Sequence, residues 1–217
     1  MLLDINKTLL EQTVSKFKNK GFIANGYVAD VSSESSVQGA IQQVEDKFGK
    51  IGIMVNSAGF VDPTSTKIVD YPLEEYDKIN IINLRGSFLM SKYAIKPMGE
   101  NNYRWILLLA SLAGKKSDPF LADYSSRKAG VILLVKVIGK EYAQTGITVN
   151  GLARAVIKTA MHANAATEQL SYMKAKIPMG PLGTVPEVAS IASWIIFREA
   201  SFNTGFIFDI LGGRATY

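Results

Sequence analysis

Arg104-Trp105-Ile106-Leu107-Leu108-Leu109-Ala110-Ser111 is an almost unbroken apolar run that ends on a hydroxyl. An apolar run this short, without alternation, reads as a strand buried on both faces, as the strands of a parallel sheet are. A helical pattern follows at 123–145, then a second apolar strand at 147–152. The same alternation extends in both directions. Strands are expected at about 1–4, 23–29, 51–56, 104–110, 147–152 and 205–210, with helices near 7–19, 34–48, 73–99, 123–145 and 185–198. Strands alternating with helices predict an α/β domain whose parallel sheet is covered on both faces. Ser32 or Ser33 is placed to cap the helix at 34, and Pro186 opens the last one. Segment 155–180 has weak periodicity and is too long for an ordinary connection, which makes it a candidate lid.

The 217 residues suit one domain spanning 1–217, with an ordinary 47% hydrophobic and 20% charged composition. Net charge is +5, yet the longest basic runs are pairs such as Lys115-Lys116. The charge therefore reads as solvated surface, and no nucleic-acid partner is expected. No apolar stretch reaches the roughly 18 residues of a membrane span. Met1-Leu2-Leu3 meets Asp4 at once, without the regions of a signal peptide, so a cytoplasmic protein is the default expectation. With no cysteine there are no disulfides or thiolate metal sites, and the lone His162 has no ligand cluster around it, so no metal is expected.

Tyr124-Ser125-Ser126-Arg127-Lys128 puts a phenol and an ammonium four residues apart, hence on one helix face. That spacing alone is weak, because Tyr172 and Lys176 repeat it. Company separates the two pairs. Ser111 ends an apolar strand at the carboxyl edge, where α/β domains bind ligands. Asn83, in Ile82-Asn83-Leu84-Arg85-Gly86, sits within a predicted helix, where asparagine is a poor choice. Asn56-Ser57-Ala58-Gly59 follows the apolar strand 51–55 and lets backbone approach a ligand.

In this order and spacing, with thirteen residues from Ser111 to Tyr124, the sequence resembles the short-chain dehydrogenase/reductase family. The resemblance runs from Asp4 to Gly213 and includes the compact 3-oxoacyl-carrier-protein reductases. It implies a Rossmann-like doubly wound parallel sheet flanked by helices, and catalytic positions at Asn83, Ser111, Tyr124 and Lys128. It implies cofactor contacts at Asp30 and Val31 on the adenine, at Asn56, Ala58 and Gly59, at Tyr124 and Lys128, and at Ile157 and Thr159. Asp4 stands where the family's second strand ends. A carboxylate there accepts hydrogen bonds from both adenosine ribose hydroxyls and repels a 2′-phosphate, so NAD is expected over NADP. Asn83 is implied to hold a water that extends the proton path from the lysine.

The chemistry agrees with those roles. A phenol in water gives up its proton near pH 10. An ammonium about 4 Å away at an effective dielectric of 20 favours the anion by roughly 4 kcal/mol before desolvation. A serine hydroxyl would stabilise the substrate oxygen, and the nicotinamide would supply the hydride chemistry. The reaction implied is interconversion of a secondary alcohol and a ketone on a small-molecule substrate, in a homo-oligomer (dimer or tetramer) formed through helices 73–99 and 123–145.

Two departures from the family pattern stand out. The strand, glycine-rich turn and helix that precede the strand ending at Asp4 are absent from the sequence, which predicts two unpaired edges within the sheet. Three origins fit: a fragment of a longer enzyme, a shortened splice or gene-model product, or a degenerate homologue. Arg154-Ala155 replaces the usual Pro-Gly beside the nicotinamide. The tail 212–217 and residues 155–159 resemble dehydrogenases of sugar acids and related hydroxy acids, and Arg154, Lys158 or His162 could meet a carboxylate. The alternative to an enzyme is a non-catalytic or unstable homologue that acts, if at all, as an oligomer subunit.

Overall fold

Alternating strands and helices run through the chain, in a computed structural model that describes residues 1–60, 66–99, 104–159 and 167–216. In order they are β1 (Leu2–Asp4), α1 (Lys7–Asn19), β2 (Gly26–Val28), α2 (Glu34–Phe48), β3 (Ile53–Asn56), α3 (Leu73–Asn80), α4 (Gly86–Met98), β4 (Arg104–Leu109), α5 (Ala122–Glu141), β5 (Ile147–Arg154), β6 (Ile157–Lys158), α6 (Thr167–Ala175), β7 (Gly183–Thr184), α7 (Val185–Ile195) and β8 (Ile207–Ile210). The main sheet is parallel with order β3-β4-β5-β8, so the α/β reading holds.

The period-2 geometry of β4 divides its apolar run between two cores. Ile106 and Leu108 face α2, α4 and α5, packing with Val37, Ile41, Leu89, Ala94, Val131 and Val135. Leu107 faces the other way and joins Leu152, Ile195 and Phe208 under α7. Ser33 caps α2 by accepting from the Ser36 N–H. Thr184 and Glu187 form a capping box at the start of α7, next to Pro186.

One detail agrees with the sequence reading and three differ from it. Among the described residues β1 pairs only with β2, in a separate parallel ribbon, and β3 pairs only with β4, so each keeps a free edge, as the sequence predicts. Cover on both faces fails at β3: Met54 and Asn56 are buried, but Ile53 and Val55 are 47% and 45% exposed. The reason is that α7 packs over β4, β5 and β8 and does not reach β3. The expected helix 73–99 is interrupted by a π turn, Ile81–Arg85, between α3 and α4. Segment 155–180 carries structure of its own, β6 and α6, within the proposed lid.

Candidate active site

Tyr124 and Lys128 lie in the first two turns of α5. Lys128 is buried, and its Nζ donates to the Leu109 carbonyl at the end of β4, 2.8 Å away. The same nitrogen stands 5.9 Å from the centroid of the Tyr124 ring. Burial lowers the Lys128 pKa to about 8, and the positive charges of Arg154 and Arg127 push the same way. Two residues beyond Leu109, buried Ser111 begins a short 3-10 turn and its Oγ accepts from the Ala113 N–H. That turn lies hard against α5: a Cβ on Gly114 would fall 2.5 Å from the Lys128 carbonyl carbon. The loop bearing Ser111 is thereby seated on the turn bearing Lys128.

Tyr124 and Lys128 open into a cavity of about 270 Å³, whose wall also includes Gly59, Arg154, Ile157 and Thr159. Leu109, Val185 and Val188 make its apolar side. Five of the expected site residues are thus brought to one wall. Asn83, Ser111, Asn56 and Ala58 are not part of that lining.

Asn83 and Asn56 shape the loop beneath the cavity. Asn83 accepts from the Phe60 N–H and donates to the Phe60 carbonyl, at 3.1 and 3.0 Å. Gly59 has φ of 150°, and any Cβ there would meet Asn83 Oδ1 at 2.6 Å, so glycine is required. Asn56 accepts from the Ala58 N–H and donates to Ser87 Oγ, whose hydroxyl in turn donates to the Asn83 carbonyl. The π turn is what aims Asn83 at this loop, an arrangement π bulges often serve near functional sites.

The adenosine-side candidates lie on the small ribbon. Asp4 ends β1, is exposed, and accepts from the Asn6 N–H at 2.8 Å, while Asn6 caps α1. Asp30 accepts from the N–H and hydroxyl of Ser32, and half-buried Val31 presses against Gly86, where a Cβ would be 2.9 Å from it.

The second tyrosine–lysine pair has a different environment. Tyr172 is exposed, Lys176 stacks 4.3 Å from its ring centroid, and Lys176 also pairs with Asp118 at 2.9 Å. Hydrogen bonds to Tyr172 and Asp118 raise the Lys176 pKa, opposite to Lys128. Sequence reasoning missed Ser87 and the buried Asp123–Arg127 ion pair, which Tyr71 joins by donating to Asp123. The four-residue spacing of Asp123 and Arg127 was the available signal; nothing pointed to Tyr71. His162 lies outside the described residues.

The profile of the family described as Enoyl-(Acyl carrier protein) reductase matches residues 1–214. A 2-dehydro-3-deoxy-L-rhamnonate dehydrogenase (NAD(+)) of Sphingomonas sp. is 35% identical over 216 residues, covering all of this chain and 85% of its own. The chain belongs to the short-chain dehydrogenase/reductase family. Other members similar to it are glucose 1-dehydrogenase 2 of Bacillus subtilis, 30% identical over 95% of this chain and 81% of its own, and a 3-oxoacyl-[acyl-carrier-protein] reductase of Buchnera aphidicola, 30% identical over 90% and 78%. This short-chain dehydrogenase/reductase is therefore an oxidoreductase of the kind that acts on CH–OH groups with a nicotinamide dinucleotide. Among its described residues no helix is long and apolar enough to cross a membrane.

Proposed function

We propose that the protein interconverts a secondary alcohol and a ketone with NAD, Tyr124 serving as the acid/base. The observation that carries this reading is the buried Lys128 ammonium, fixed by the Leu109 carbonyl and set beside Tyr124 on the wall of one cavity. In reduction Tyr124 gives its phenolic proton to the oxygen that becomes the hydroxyl; in oxidation it takes that proton back. Lys128 stabilises the negative charge left on the phenol oxygen, and the low-dielectric surroundings strengthen that effect. Ser111 holds the substrate oxygen by hydrogen bonding. Asn83 acts by setting the backbone at Phe60 and Gly59 on the cavity wall.

The residues present fit a nicotinamide dinucleotide at its two ends. Gly59, whose backbone is turned against Asn83 where a Cβ has no room, lies with Ile157 and Thr159 on the cavity wall that would receive the reacting ring. One carboxylate oxygen of Asp4 is held by Asn6, which keeps the group oriented at the strand end for ribose hydroxyls, with Asp30 and Val31 beside the adenine. When bound, the nicotinamide supplies or accepts the hydride. Asp4 supports NAD over NADP by repelling a 2′-phosphate. The substrate is a hydroxy or sugar acid or a 3-oxoacyl thioester. Exposed Phe88 on α4 and Leu133 and Val137 on α5 support a homo-oligomer assembled through these helices.

Fluorescence titration with NADH and NADPH, followed by turnover with a panel of hydroxy acids, tests this proposal. The enzymatic reading expects NADH to bind more tightly than NADPH and at least one acid to be oxidised. An absence of both binding and turnover would refute it.

A further inference from the structure

We infer that Arg154 is the anion anchor of the substrate pocket, receiving the carboxylate of a small hydroxy or oxo acid whose reacting carbon lies at Tyr124. The inference rests on the reading of this cavity as the site of alcohol–ketone exchange. Arg154 is the last residue of β5, half-buried, and it shares the cavity wall with Tyr124 and Lys128. Among the described residues no carboxylate pairs with it, whereas Arg127 and Arg214 are paired with Asp123 and Asp118. No acidic side chain is among the described residues of that wall either. Two cations thus face one small space and repel each other, an arrangement an entering anion relieves.

The identity of the anion follows from size and place. A cavity of about 270 Å³ falls just below the roughly 300–1,000 Å³ of drug-sized sites, too small for a whole dinucleotide. The anion bound here is therefore attached to the reacting molecule, close to the carbon that exchanges hydride. A guanidinium suits that task because its planar fork meets a carboxylate with two parallel hydrogen bonds. Lys158, the neighbouring basic candidate, is exposed and absent from the cavity wall.

The test is calorimetric titration of the 217-residue chain with D-gluconate, with sorbitol as its uncharged counterpart, and with NADH. It is run on the wild type, Arg154→Gln and Arg154→Lys, with and without saturating NADH. The wild type should bind gluconate at least about tenfold more tightly than sorbitol. Arg154→Gln should abolish that preference and Arg154→Lys should keep part of it, while NADH affinity changes by less than about twofold. Three results overturn the inference: no preference in the wild type, a preference that survives Arg154→Gln, or an NADH affinity that collapses while the preference stays, which would assign the arginine to the cofactor's phosphates. Equilibrium binding needs no proton transfer. A wild type that prefers gluconate yet turns over nothing therefore refutes the proposed reaction and leaves the anchor, whereas turnover of neutral alcohols without that preference refutes the anchor alone.

Discussion

Lys128 carries its charge in a largely buried position on the cavity wall, and its pH behaviour follows from that. With a pKa of about 8 it is an ammonium below that pH and neutral above it. Support for charge on the Tyr124 oxygen is therefore lost on the alkaline side, and kcat should fall with a limb near pH 8. Arg154→Gln removes a repelling cation, so the limb should move to higher pH; an unmoved or lowered limb would contradict this coupling. Stability has its own sign. The folded pKa lies below the unfolded 10.5, so the unfolded chain binds more protons between those values and the folded state gains as pH rises through them. Relative to Lys128→Met, the wild type should gain about 2 kcal/mol in unfolding free energy between pH 7.5 and 9.5, read by denaturant titration. Asp4→Ser should narrow the preference for NADH over NADPH by about tenfold in fluorescence titrations; an unchanged ratio would remove Asp4 from the ribose site. The choice of Tyr124 over Tyr172 was readable from sequence, because a serine-terminated apolar strand accompanies it. The reason it matters, burial of Lys128 with no carboxylate partner among the described residues against pairing of half-buried Lys176 with Asp118, belongs to the folded chain alone.

Along α5 the pair Asp123–Arg127 interleaves with Tyr124–Lys128, each spanning one helical turn. Both partners of the ion pair are buried; Tyr71 donates to Asp123, and Arg127 donates to the Tyr76 carbonyl and stacks on its ring. The first turn of α5 is thus bound to the segment entering α3. Removing one member leaves an uncompensated buried charge, so Asp123→Ala should cost about 3–5 kcal/mol in chemical denaturation. A loss under about 1 kcal/mol would place the pair in the class of surface bridges. The helix starts at Glu34 and Val185 were readable within a few residues because Ser33 and Pro186 mark them chemically, whereas α6 had no such mark. The π turn was not, since one extra residue per turn leaves no trace in hydrophobic periodicity; an asparagine in a predicted helix was its faint mark.

Across the molecule, the alternation of apolar runs and helical patterns contained the α/β order, and the absent glycine-rich unit foretold the free edges of β1 and β3. The bare face at Ile53 and Val55 was not foreseen, because strand composition does not say which helix will cover which strand. Assembly is testable at the same scale. Leu133→Glu and Val137→Glu, on exposed positions of α5, should convert an oligomer to a monomer in sedimentation with the far-UV spectrum unchanged; unchanged sedimentation of an oligomer would exclude this helix face from the interface. The proposed catalysis stands on Tyr124 exchanging a proton beside the Lys128 cation. Its most direct test is steady-state turnover of Tyr124→Phe against the wild type, with NADH affinity measured on both. Turnover should fall by roughly 100- to 10,000-fold with affinity essentially retained; turnover near the wild-type rate would contradict the assignment.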